Sequence, residues 1–180
     1  MIKSNFFIGA MFSGVVAFSG AVQASEPYAG ASISFLDYSE DVIDDEASLT
    51  AAVVRVGTEF NENLSGEIRV GIGIGDDSIE YLGVDIDTEL DTLFGGYLRF
   101  GVPVADGFFP YAILGYTRGE ITFSASGFGS DTESESDTSF GLGADVDLNQ
   151  NITFNVEYMN YFDKDGAEID GFSLGVVSKF

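Results

Sequence analysis

From Tyr28 to Phe180 the chain alternates apolar residues with small or polar ones, in segments of about ten residues. That is the period of a strand with one apolar face. In Tyr28–Tyr38, Ala29, Ala31, Ile33 and Phe35 share one face and Gly30, Ser32 and Ser34 the other. A second segment, Leu49–Phe60, sets Ala52, Val54, Val56 and Phe60 against Val53, Arg55, Gly57 and Glu59. A third sets Ile68, Val70, Ile72 and Ile74 against Glu67, Arg69, Gly71 and Gly73. In Leu90–Val102 the apolar face reads Leu90, Phe94, Leu98, Phe100 and Val102, against Asp91, Gly95, Tyr97, Arg99 and Gly101. Both faces of Phe109–Thr117 are fairly apolar, so its inside and outside stay unassigned. The alternation is clearest in Thr138–Leu148, where Phe140, Leu142, Ala144, Val146 and Leu148 oppose Ser139, Gly141, Gly143, Asp145 and Asp147. Ile152–Tyr161 and Gly171–Phe180 complete eight segments, the last with Phe172, Leu174, Val176 and Phe180 on one face.

The connections sort by length. Residues 61–64, 103–107 and 149–151 make short turns, whereas 39–48, 75–89, 118–137 and 162–170 read as longer loops. An up-and-down barrel with short periplasmic turns and long outer loops requires this alternation for eight strands. The expected fold is therefore all-β, an eight-stranded antiparallel up-and-down transmembrane β-barrel. Arginine on the lipid face at mid-bilayer costs about 2–4 kcal/mol. Arg55, Arg69 and Arg99 all fall on the glycine- and acid-bearing face, which makes that face the interior. An interior this narrow must be filled by side chains. The expected lumen charge network is Arg55, Glu59, Glu67, Arg69, Asp91, Arg99, Asp145, Asp147 and Glu157.

The N-terminus adds a compartment. Lys3, the apolar stretch Phe6–Phe18 and Ala-Val-Gln-Ala at 21–24 read as a signal peptide over residues 1–24, cleaved after Ala24, ahead of a barrel domain at 25–180. The apolar stretch is too short and too rich in Gly and Ser for a membrane helix. Sec-type export to the Gram-negative outer membrane follows from this reading.

With 30 acidic residues against 7 basic ones, the formal net charge is −23, which repels nucleic acid and excludes it as a partner. Neither His nor Cys is present, removing the most usual general base, thiolate nucleophiles and the common zinc sites. No catalytic residue, cofactor site or metal site is assigned, and the chain reads as a non-enzyme. Asp145, Asp147 and Glu157 have the composition of a carboxylate acid/base set, but partnership with the three arginines explains them better. Gly71-Ile-Gly-Ile-Gly75 has the wrong spacing for a nucleotide loop and precedes no helix. Acids crowd the four long connections: Glu40, Asp41, Asp44, Asp45 and Glu46; Asp76, Asp77, Glu80, Asp85 and Asp87; Asp131, Glu133, Glu135 and Asp137; Asp163, Asp165, Glu168 and Asp170. Solvation explains them best, with weak condensation of divalent cations as the functional variant.

The run Val-Arg-Val-Gly-Thr-Glu-Phe-Asn-Glu-Asn-Leu-Ser-Gly-Glu-Ile-Arg at 54–69, the stretch Pro-Tyr-Ala-Ile-Leu-Gly-Tyr at 110–116 and the closing strand to Phe180 resemble the small outer-membrane β-barrel proteins. These include the transmembrane domain of OmpA and the protein OmpX. The resemblance implies outer-membrane lipid and the outer-membrane assembly machinery as partners. It also implies that Phe180, with Phe172, Leu174 and Val176 at steps of two, forms the assembly signal. Barrel enzymes of similar fold, such as lipid A deacylases, acyltransferases and omptin proteases, rely on a histidine that this chain lacks. The expected role is envelope-structural or surface-interacting, with a mostly plugged polar lumen. A narrow cation-preferring channel and an adhesion module acting through the acidic loops are the alternatives.

Overall fold

A computed structural model describes residues 26–40, 46–81, 84–125, 129–164 and 166–180. The signal segment 1–24 lies outside the described residues. Eight strands run in chain order: β1 (Glu26–Glu40), β2 (Glu46–Asn61), β3 (Leu64–Tyr81), β4 (Val84–Gly101), β5 (Phe108–Ala125), β6 (Gly129–Asp147), β7 (Ile152–Lys164) and β8 (Ala167–Lys179). Each pairs antiparallel with its neighbour, and β1 closes on β8 from Tyr28↔Lys179 to Glu40↔Ala167. Closure lets backbone donors and acceptors of every strand find partners within the wall, the condition for crossing hydrocarbon.

The outward side chains form an apolar surface. Ile33, Phe35, Val54, Val56, Ile68, Val70, Ile72, Phe94, Leu98, Phe100, Leu114, Phe140, Leu142, Phe172, Leu174 and Val176 are all exposed. Such a belt far exceeds the few hundred Å² that a water-soluble monomer exposes. On its rim the Tyr158 ring packs at a tilt against Phe172, centroids 4.8 Å apart, and donates its hydroxyl to Asp170 at 2.6 Å. A ring in lipid with its hydroxyl in water is the usual arrangement at a membrane interface. The chain is a transmembrane up-and-down β-barrel.

The three short turns lie where the alternation put them, with Gly107 at φ 73° in the tightest part of the second. The four long connections do not. They are largely strand: β3 and β4 pair out to Tyr81↔Val84, and β5 and β6 out to Ala125↔Gly129. Residues 76–81, 84–89, 118–125 and 129–137, expected as loops, are ladder residues that carry the wall past the membrane. The 18 residues of β5 reach about 60 Å, against an apolar band of about 25 Å. Acid-hydroxyl alternation carries the same period of two as apolar-polar alternation, so these polar strands read as loops only when hydrophobicity is followed.

Two face assignments change. In β5, Tyr111, Ile113 and Thr117 point inward and Leu114 and Tyr116 outward, which settles the unassigned strand. In β4 a bulge between Leu90 and Thr92 reverses the alternation, so Leu90, expected outside, is buried within the barrel. Asp91, expected inside, accepts a 2.6 Å hydrogen bond from Thr122 on the outer face.

Candidate functional site

The interior is built in levels. At the short-turn end lies an open cavity of about 240 Å³ bordered by Glu59, Asn61, Asp147, Phe109 and Lys179. Lys179 pairs with Glu59 at 2.8 Å there, and Thr153 donates to Asp147 at 2.6 Å. Above it Arg99 donates to Asp145 at 2.6 Å, its guanidinium 3.7 Å from the centre of the Tyr111 ring. That stacking gains cation–π attraction while covering the ring.

The next level is a knot of four charges. Arg55 and Arg69 stand directly opposite each other on β2 and β3, a repulsive placement unless anions intervene. Glu157 of β7 intervenes. Arg55 grips it through Nη1 at 2.7 Å and Nη2 at 3.2 Å, and Arg69 through Nη1 at 2.7 Å and Nη2 at 3.0 Å. Paired parallel bonds of this kind are the strongest geometry open to a guanidinium and a carboxylate. Tyr111 adds its hydroxyl at 2.8 Å. Glu67 accepts from Arg69 Nε at 2.6 Å, also meets Arg69 Nη2, and takes the Tyr28 hydroxyl at 3.1 Å. All four charged side chains are at most 1% exposed. Three arginines (55, 69, 99) against three carboxylates (67, 145, 157) leave this interior neutral.

Glycine makes the packing feasible. A Cβ on Gly143 would run into the Tyr111 ring, and one on Gly57 into the Tyr28 ring. The rings that orient Glu157 and Glu67 occupy the room those glycines leave.

Above the knot the lumen turns apolar. Leu36, Leu49, Val53, Leu90, Leu93, Ile121, Met159, Phe162 and Ile169 pack into one buried cluster. The half of the lumen nearer the short turns is polar, as expected, and the other half is mainly apolar, crossed by the buried hydroxyls of Tyr97, Thr117 and Ser139. Met159, Val53 and Leu93 are in phase with the interior in the sequence, whereas Leu90 is hidden by the β4 bulge. Tyr28, Tyr111, Ser32 and Asn155 also join the network, the last donating to the Tyr111 hydroxyl at 3.3 Å.

Of the nine residues singled out from sequence, the structure brings Arg55, Glu67, Arg69 and Glu157 into one cluster and Arg99 with Asp145 into a second pair. Glu59 and Asp147 sit in the open mouth. Asp91 does not join them. Phe180 is 74% exposed, its amide donating to Pro27 O at 3.2 Å across the closing seam. Among the described residues no group of three or more carboxylates is placed to hold a metal ion. Asp41, Asp44, Asp45 and Asp165 lie outside the described residues.

Comparison with known proteins agrees with this architecture. The family model for the outer membrane protein β-barrel domain matches residues 7–180, and the chain belongs to that family. No curated protein sequence matches it. Among solved structures it is similar to Neisserial surface protein A, with a TM-score of 0.69 at 13% identity, covering 88% of this chain and 100% of that one. It is likewise similar to Ail, the attachment invasion locus protein of Yersinia pestis, with a TM-score of 0.66 at 16% identity and the same coverage. Ail in complex with the heparin analogue sucrose octasulfate gives a TM-score of 0.61 at 18% identity, again with that coverage. At these identities the likeness is one of fold. The chain is thus an outer-membrane β-barrel protein of the Gram-negative type.

Proposed function

We propose that this barrel is non-enzymatic, conducts no solute, and serves the cell surface through the strand extensions that rise from its wall. The observation that carries this is Glu157, gripped by two arginine forks in mid-lumen beneath an apolar plug. A hydrated ion would have to part four buried charges and then cross a dry layer, both costly. Planar-bilayer recording of the purified protein tests it. A flat baseline is expected; steady, reproducible current steps would instead make the chain a narrow cation-preferring channel.

In this reading residues 1–24 direct Sec-type export, and the short turns face the periplasm, so the extensions face outward. Phe180 prolongs the lipid-facing row of Phe172, Leu174 and Val176 and is read by the assembly machinery. Deleting Phe180 is expected to slow assembly, seen as a lower folded fraction in heat-modifiable gels of outer membranes. Unchanged levels would make the residue incidental. The ligand on Yersinia pestis Ail, sucrose octasulfate, is polyanionic. With a net charge of −23 this chain selects the opposite sign, so its partners are cationic, with loosely condensed divalent ions as the background.

A further inference from the structure

The mouth at the short-turn end holds polar groups that its own residues do not satisfy. Around the cavity of about 240 Å³, the carboxylates of Glu59, Glu62, Asp145 and Asp147 outnumber the cations Arg99 and Lys179 by two. Lys179 is taken up by Glu59 at 2.8 Å and Arg99 by Asp145 at 2.6 Å. Asp147 is met by the neutral hydroxyl of Thr153, and among the described residues no cation pairs with it or with Glu62.

The roof is incomplete in a second way. Arg99 borders the cavity and its side chain is only 5% exposed, yet its Nε has no acceptor. Asp145 beside it keeps a buried Oδ1 without a donor. A buried donor and a buried acceptor each cost free energy while unmet. One small group that presents an acceptor and a donor side by side answers both.

Below the roof the walls change. Leu64, Pro103 and Phe109 add apolar surface. Asp147 stands two residues from Asp145 on β6, about 7 Å along the strand, which is the reach of a four-carbon side chain. Among the described residues no three carboxylates converge on a single ion, so the excess charge suits a cation carried on a stem more than a bare metal ion.

We propose that this mouth binds a free basic α-amino acid with the charges of lysine. Its carboxylate accepts from Arg99 Nε and its α-ammonium donates to Asp145 Oδ1. The methylenes lie along Phe109, and the terminal cation meets Asp147 near the rim. The cavity is smaller than the ~300 Å³ at which drug-sized sites begin, in keeping with so small a molecule. Above the roof the arginine–glutamate knot closes the lumen. The site is therefore a dead end entered from the short-turn side, separate from the strand extensions at the opposite end.

Calorimetric titration of the protein in lipid nanodiscs with lysine, pentane-1,5-diamine and norleucine tests this. The diamine keeps both ammonium groups and lacks the carboxylate; norleucine keeps the head and lacks the terminal cation. Lysine is expected to bind about tenfold tighter than either, the scale of one charge-assisted hydrogen bond. Loose condensation on a chain of net charge −23 gives a different order, with the doubly charged diamine ahead of lysine. Asp147→Asn is expected to bring lysine down to the level of norleucine and leave norleucine unchanged, with heat modifiability confirming a folded barrel. Amide shifts on adding lysine are expected at Phe109 and Asp147 and not in 129–137. A diamine that matches or exceeds lysine, a lysine affinity untouched by Asp147→Asn, or an absence of binding overturns the proposal.

Discussion

Replacing Glu157 by Ala is expected to lower the unfolding free energy of the barrel by about 3–5 kcal/mol, the range for removing one partner of a buried ionic group. The reason is local. Glu157 accepts both forks and the Tyr111 hydroxyl, and its loss leaves Arg55 and Arg69 facing each other across adjacent strands with Glu67 as the nearest counter-charge. Glu157→Gln preserves the shape and part of the hydrogen bonding, so its loss should be smaller. Replacing Arg55, Arg69, Glu67 and Glu157 together by apolar residues of like volume should come close to neutral, because no charge is then stranded. The chain contains no Trp, so urea titration in lipid vesicles is best followed by the mobility shift between folded and unfolded bands. A loss below about 1 kcal/mol for Glu157→Ala, the scale of a solvated pair, would show that water reaches the arginines. The sealed-lumen reading would fall with it.

What the sequence displayed of this site depends on how each residue meets its neighbours. The interior face of β2 and β3 was legible because Arg55 and Arg69 cannot point into lipid, and alternation then carries Glu67 with them. The partnership with Glu157 was legible only as a need for anions, since β7 is about a hundred residues away along the chain and only barrel closure brings it near. Tyr28 and Tyr111 looked like ordinary aromatics; their role depends on Gly57 and Gly143 in neighbouring strands, a cross-strand relation that no single segment displays. Asp91 went astray for a different reason. Parity counting assumes an unbroken ladder, and the extra residue between Leu90 and Thr92 flips every inference beyond it. The same limit hid the apolar plug, half of whose β4 contribution sits across that bulge. The raised hairpin was hidden because its stabilising cross-strand pairs, such as Thr122–Thr132, are hydroxyls instead of hydrocarbons.

Placing arginine at Leu142 is expected to cost about 2–4 kcal/mol, whereas Ser136→Arg on the same strand and the same outer face should cost about 1 kcal/mol or less. The two sites are six residues apart, roughly 20 Å along the strand. Leu142 is 68% exposed yet sits between Phe140 and Ala144 on the outward apolar run, so that exposure is to hydrocarbon, where a guanidinium must be dehydrated or must drag water and headgroups inward. Ser136 lies beyond the last β6–β7 pair, opposite Arg118 and with Glu120 close by on the same face, where a cation keeps its hydration. Side-by-side urea titrations of the two variants in vesicles therefore locate the membrane boundary on β6. A steep difference sets that boundary between residues 136 and 142 and leaves the upper part of the β5–β6 hairpin in water. Equal small losses would put Leu142 itself in water, and the apolar belt could then no longer be read as the lipid-facing surface of the barrel.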